Sequence, residues 1–206
     1  MLLSGGIDSA TALCLTKRTH AARAVTFEYH GIARRELEAA RAVAVRLGVV
    51  EHRLVRLPDL REVGDIRGFD RGSLPPTYIP LRNSIFYSIA ASIAEETGAT
   101  LIVGGHNRDD AKTFGDVSSQ FFDSLQAAFR SASPVLRRNR VRISRPLRSK
   151  TKVQVVALAA GLKVPFELTW SCHKNGPDHC WSCPGCLSRR ESFVKAGVAD
   201  PLNSEW

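Results

Sequence analysis

Along residues 1–160 short apolar runs alternate with stretches of helical period, the pattern of a parallel sheet covered by helices. Residues 1–3 read as the end of a first strand, 7–18 as its helix and 24–28 as a second strand. A helix over 34–47 carries Leu37, Ala40, Val43, Ala44 and Leu47 on one face and stops at Gly48, a residue suited to a left-handed cap. Residues 49–57 alternate like a strand. A Gly- and Pro-rich loop over 58–80, long enough to suggest a working role, precedes a helix over 81–97 and the strongly strand-like run 100–104. That makes four parallel strands. A polar loop, a helix bearing Phe121, Phe122, Leu125 and Phe129, a basic strand near 141–143 and a helix over 152–160 follow. The pattern predicts one α/β domain over 1–168. Residues 169–206 hold too little apolar material for a core of their own and are expected to pack on that domain, knotted by a metal.

Composition narrows this picture without changing it. The chain has 206 residues, 44% hydrophobic and 24% charged, which suits one globular core and excludes collagen, a coiled coil or a disordered tail. Arg, Glu or Gly interrupts every apolar stretch well short of the roughly 18 residues a membrane span needs, so no membrane partner is expected. Lys and Arg exceed Asp and Glu by 29 − 20 = +9, which favours phosphate-bearing partners but does not separate a nucleotide from RNA. Four of five cysteines crowd into one stretch, too close for relaxed disulfides but well spaced for one metal ion. A reducing, cytoplasmic location is the corresponding expectation.

Ser4-Gly5-Gly6-Ile7-Asp8-Ser9 falls where the first strand gives way to a helix, the place in such a fold where unpaired N–H groups and the positive helix end converge. Paired glycines let the main chain approach an anion, Ser4 and Ser9 offer hydroxyls, and Asp8 can hold a cation or cap the helix. A bare Gly-Gly would more often be a simple turn. The six residues together resemble the pyrophosphate loop of the ATP pyrophosphatases, the PP-loop enzymes. This resemblance implies an adenine-nucleotide α-hydrolase-like fold, cleavage between the α and β phosphates, ATP and Mg2+ as cofactors, and contacts from Leu3 through Ser9. The Gly-x-x-x-x-Gly-Lys-Ser/Thr loop, which uses a lysine on the β and γ phosphates, is absent from the sequence.

Cys172-x7-Cys180-x2-Cys183-x2-Cys186 supplies four soft ligands, with Zn2+ in a closed structural site as the leading candidate. An iron–sulfur cluster also accepts four thiolates, but its usual cysteine–proline continuation does not follow Cys186. His173 and His179 are nearby competitors that four thiolates leave outside the set. Cys14, among apolar neighbours, reads as a buried structural thiol.

Three further segments, Thr77-Tyr78-Ile79-Pro80-Leu81-Arg82-Asn83, Gly105-His106-Asn107-Arg108-Asp109-Asp110 and Thr169-Trp170-Ser171-Cys172, make the resemblance more specific. With the phosphate loop and the cysteines, in this order, nearly the whole chain resembles the 7-cyano-7-deazaguanine synthase family. The resemblance implies that 7-carboxy-7-deazaguanine is adenylated by ATP and attacked by ammonia to give an amide, which a second ATP converts to the nitrile, preQ0. It implies small-molecule partners, a chain that pairs as a homodimer, and roles for particular residues. Asp8, Ser9 and Arg82 are expected to serve catalysis. Tyr29, with His30 beside it, borders the adenine unless the two are merely exposed. Tyr78, Arg82, Asn83, Asp110, Phe114 and Asp116 face the substrate. Arg82 suits a phosphate or carboxylate because its guanidinium is two-pronged, the bland alternative being a helix-capping network. Asp110 and Asp116 are read evenly as magnesium or substrate ligands and as solvated loop carboxylates.

The chain also departs from the family. Where relatives carry Ser-Gly-Tyr-Pro-Asp-Cys-Arg it reads through Phe114, Gly115 and Asp116 to Val117-Ser118, so the ring and the acid persist and the Cys-Arg pair does not. Its first strand is shorter by several residues. A divergent branch using the same adenylation on another acceptor, such as a protein amine, is therefore one alternative. A second is a tRNA-modifying adenylase landing on Arg137, Arg138, Arg140, Arg142, Arg145 and Arg148; it lacks the paired catalytic cysteines such an enzyme would place beside the loop. A third, a zinc module binding nucleic acid without catalysis, leaves the phosphate loop without purpose. Nucleic acid is accordingly the less favoured partner.

Overall fold

The computed structural model describes residues 1–29, 31–60 and 78–203; most of the loop expected over 58–80, with His30 and Thr77, lies outside these residues. The chain runs through α1 (Ile7–Lys17), β1 (Arg23–Tyr29), α2 (Arg34–Arg46), β2 (Glu51–Leu57), α3 (Arg82–Thr97) and β3 (Leu101–Val103). It continues through α4 (Asp110–Thr113), α5 (Ser119–Ala132), α6 (Pro134–Arg138), β4 (Arg142–Ser144), α7 (Lys152–Gly161) and α8 (Pro184–Ala196), with single 3-10 turns at Gly115–Val117 and Phe166–Leu168.

The strands form two parallel pairs joined by the chain start. β1 pairs with β2 from Arg23 opposite Glu51 to Tyr29 opposite Leu57. β3 pairs with β4 from Leu101 opposite Arg142 to Val103 opposite Ser144. Leu2 makes a parallel bridge to Val25 and donates its N–H to Val103 O at 2.9 Å, so residues 1–3 lie between β1 and β3. The order is β2, β1, residues 1–3, β3, β4. Chain direction across the sheet reverses beside residues 1–3, and in open α/β sheets the crevice at such a switch point is where ligands bind.

The period of two expected of strands distributes neighbours to opposite faces. Leu3, Ala24 and Val103 enter one core with α1, α2 and α7, while Leu2 and Ile102 enter another with Tyr87 of α3, Phe122 of α5 and Leu136 of α6. Gly48 ends α2 in the left-handed region, φ +60°, as its position predicts. α4, which falls in the expected polar loop, α6 and α8 are additions to the predicted elements. α6 starts at Pro134 behind Ser133, whose Oγ accepts from Leu136 N at 3.1 Å, a capped start masked in sequence by its five-residue length.

The last stretch docks on the body through α8. Phe193 meets Phe166 edge-on at 4.8 Å between centroids. Arg189, 0% exposed, pairs with Asp200 at 2.6 and 2.8 Å and donates to Thr169 Oγ1 and Phe166 O. This pair substitutes for the core that the apolar-poor tail lacks. Among the described residues no helix is long and apolar enough to cross a membrane.

Candidate active site

The turn at residues 4–6 leads from the first strand into α1 and is held from two sides. Gly5 has φ +81°, and a Cβ there would stand 2.5 Å from Glu36 O and 2.6 Å from Ala40 N of α2. Only glycine fits. Across the loop, a Cβ on Gly105 would stand 2.7 Å from Ser9 N, so the exit of β3 presses against the start of α1. Gly6 precedes α1 with extended angles and no side-chain cap, leaving the first-turn N–H groups without an intrahelical acceptor. Ser9 Oγ donates to Gly6 O at 3.0 Å and accepts from Ser4 N at 3.2 Å, and Trp170 N–H donates to Gly5 O at 3.0 Å. The loop's shape is therefore set by its own hydrogen bonds and by the neighbours that clasp it, while the N–H groups of the first turn of α1 keep no intrahelical acceptor.

Around this loop lies a cavity of about 430 Å³ at the carboxyl ends of the strands. It gathers Leu3, Ser4, Asp8, Ser9, Tyr29, Arg82, Asn83 and Asp110 of the sequence-predicted residues. Leu3 and Ile7 are core residues by their side chains, so their part in the site is played by backbone. Gly5 is likewise buried under the loop. Tyr78, Phe114 and Asp116 stand outside the lining of this cavity. The Tyr78 and Phe114 rings are nearly parallel, 5° apart with centroids at 6.3 Å. Asp116 accepts from Asn83 N at 3.2 Å, and so caps the start of α3 with one oxygen.

Asp8 pairs through Oδ2 with Lys152 Nζ, while its buried Oδ1 has no hydrogen-bond partner among the described residues. Asp110 accepts from Asn107 N at 3.0 Å; burial, followed by the charge of Asp8, raises its carboxyl to about 6. Asn107 shapes this segment, its Oδ1 accepting from Asp109 N at 2.7 Å and Asp110 N at 3.2 Å. The unpartnered Asp8 oxygen and the Asp110 carboxyl, which burial and the Asp8 charge hold against ionisation, are a donor set whose chemistry suits a cation. Arg82 donates to Tyr29 Oη at 3.4 Å. His106, in a ring cluster with Tyr87 and Phe122, is pulled down to about 4 by burial and then by Arg145 and Arg82, and stays neutral at pH 7.

Sequence reasoning missed Glu36 and Lys152. Glu36 looks like an ordinary solvent-face residue of an amphipathic helix, and only the approach of α2 to Gly5 brings it into the cavity. Lys152 opens α7 behind a capping box of Thr151 and Gln154, a signal for a helix start and not for an ion pair with a residue at the opposite end of the chain.

The four cysteines of the C-terminal stretch converge, with all Sγ atoms within 4.8 Å of one another and the Cys180–Cys186 and Cys172–Cys183 pairs each at 3.9 Å. They form a metal-binding cluster. His179 is buried and accepts from Ser171 N at 3.1 Å, and exposed His173 lines the cavity, so neither belongs to the ligand group. Cys14 is half-buried against the core, where burial raises its thiol.

The family described as queuosine biosynthesis protein QueC matches residues 1–197. The 7-cyano-7-deazaguanine synthase of Thermoplasma acidophilum is 34% identical, with 100% of this chain aligned to 91% of that protein. The 7-cyano-7-deazaguanine synthase of Thermosynechococcus vestitus is also 34% identical, over 98% of this chain and 93% of its own length. Among solved structures, NMN synthetase from Francisella tularensis superposes with a TM-score of 0.54 at 18% identity, covering 96% of this chain and 76% of that one, a likeness of fold. The parallel sheet, the glycine turn at its switch point and the cysteine cluster agree with these matches along nearly the full length, and the chain belongs to the QueC family.

Proposed function

We propose that this chain converts 7-carboxy-7-deazaguanine and ammonia to 7-cyano-7-deazaguanine with consumption of ATP. The observation that carries this reading is the glycine turn at the switch point, clasped between α2 and the exit of β3 with its helix-start donors directed to a cavity large enough for a nucleotide. Backbone groups of residues 3–9 receive the phosphates, and Ser4 and Ser9 add hydroxyls. Tyr29, beside Phe86 at 5.7 Å, borders the adenine. Arg82, which reaches the same cavity from the first turn of α3, steadies the developing charge between carboxylate and α-phosphate.

A carboxylate is a poor electrophile. Transfer of the AMP moiety to its oxygen provides a leaving group, which ammonia then displaces; the amide oxygen is activated in the same way before the nitrile forms. Tyr78 and Phe114 offer two parallel ring faces for a flat deazapurine, with Asn83, Asp110 and Asp116 supplying polar contacts to its edges. Asp8 and Asp110 fit Mg2+, because Asp8 retains an unpartnered buried oxygen and Asp110 is disfavoured as an anion by burial and then by the charge of Asp8. The ion supplies charge neutralisation on the phosphates.

The cysteine cluster fits Zn2+. Zinc–thiolate bonds of about 2.3 Å place tetrahedral sulfurs about 3.8 Å apart, and two pairs stand at 3.9 Å. No open position is needed for a structural role: the cluster fixes residues 170–173 against the phosphate loop. A reducing compartment such as the cytoplasm suits five cysteines that form no disulfide.

Purified protein incubated with ATP, magnesium, ammonium and 7-carboxy-7-deazaguanine should release AMP and pyrophosphate and yield amide followed by nitrile, read by mass spectrometry. Folded, metal-loaded protein that releases no pyrophosphate with this acid would overturn the reading.

A further inference from the structure

The proposed reaction needs a base that the predicted residues do not supply. At neutral pH ammonia is present chiefly as ammonium, which has no lone pair for attack. Of the acidic side chains in the cavity, Asp8 is engaged by Lys152, and Asp110 accepts a backbone N–H beside it. His106 is held neutral but too weakly basic for the task.

Glu36 differs from these groups. It lines the cavity from the first turn of α2, whose backbone closes on Gly5. Its carboxylate has no hydrogen bond or ion pair among the described residues, although Arg34, Arg35 and Glu38 on the same helix pair with one another. Arg82 from α3, Asp8 from α1, His106 and Asp110 beyond β3 and His173 from the cysteine stretch share its cavity. We infer that Glu36 captures ammonium beside the phosphate loop and accepts its proton, so that free ammonia forms next to the acyl-adenylate. This rests on the adenylation reading above.

The step balances without another reactant. Ammonium gives one proton to the Glu36 carboxylate. The nitrogen lone pair forms the C–N bond, the bond between the acyl carbon and the phosphate oxygen breaks, and AMP leaves with that electron pair. The second surplus proton on nitrogen departs on the phosphate of AMP. Burial raises the Glu36 carboxyl to about 7 against the opposing pull of Arg82, the range in which a carboxylate both takes a proton from ammonium and returns it to solvent.

The test uses the metal-loaded full chain and Glu36→Gln. Substrate-dependent exchange of labelled pyrophosphate into ATP reports adenylation before any nitrogen enters. It should stay within about threefold of the parent, while amide formation from ammonium at pH 7 falls at least about thirtyfold. Hydroxylamine, already unprotonated at that pH, should trap the acyl-adenylate as hydroxamate at the parental rate. Raising the pH should recover amide formation in the variant as ammonia becomes available from solution. Unchanged amide formation, an equal loss with hydroxylamine, or loss of exchange in the variant would each overturn the assignment. Absence of exchange in the parent would instead overturn the adenylation reading.

Discussion

Single positions separate shape from chemistry in this site. Gly5 meets both tests of an irreplaceable glycine, a left-handed φ and backbone where a Cβ would go, whereas Gly98 has φ +69° with nothing within 4 Å. Gly98→Ala should therefore cost about 1 kcal/mol in urea unfolding and leave pyrophosphate release intact. Gly5→Ala should cost about 3 kcal/mol or more and abolish pyrophosphate release, because α2 must move as well. Asp110 makes an opposite prediction. Its folded carboxyl is raised from the ordinary 3.8 to about 6, so the protein is penalised as pH rises between those values and carries the full penalty above about 6. Asp110→Asn should flatten that part of the stability–pH profile and raise the neutral-pH melting temperature of ligand-free protein, while pyrophosphate release drops by at least about a hundredfold. A melting temperature below the parent's at pH 7 would contradict the burial argument.

Elements were legible in the sequence where one physical pattern governed them. The helices over Arg34–Arg46 and Arg82–Thr97 and the strand Arg23–Tyr29 follow from period and punctuation, within two residues of the expected ends. The 49–57 strand begins later, at Glu51, because Val49 and Val50 are used in the turn out of α2, where their N–H groups reach Ala44 O and Ala22 O. α8 escaped prediction because its first turn is built from Cys183, Pro184 and Cys186, residues that read as ligands and loop. The site was legible as motifs and illegible as geometry: nothing local in Glu36 or Lys152 signals the packing that turns each toward the phosphate loop. The tail gives a further prediction at this scale. Arg189→Leu strands Asp200 in a buried setting and should cost about 3–5 kcal/mol, seen as an earlier melting transition. Chelation should likewise lower the melting temperature, since four thiolates and one ion pair take the place of a core between residues 169 and 203.

For the molecule as a whole, the charge is as unevenly placed as the chemistry. Residues 124–150 contain seven arginines and one lysine and no acidic residue, so they account for 8 of the net +9. Arg137, Arg138, Arg140, Arg142 and Arg148 are exposed, and among the described residues none of these is within ion-pair distance of a carboxylate. Retention on a heparin column should fall steeply with salt, and charge reversal at Arg137 and Arg138 should advance elution without altering pyrophosphate release.

The hydrogen bond from Trp170 to Gly5 sets an order of events. The glycine turn and the donor that completes it are 170 − 5 = 165 residues apart, and that donor lies just ahead of the cysteines. A nascent chain thus carries this turn unfastened while the intervening residues are made, and the latch arrives only with the stretch that leads into the cysteines.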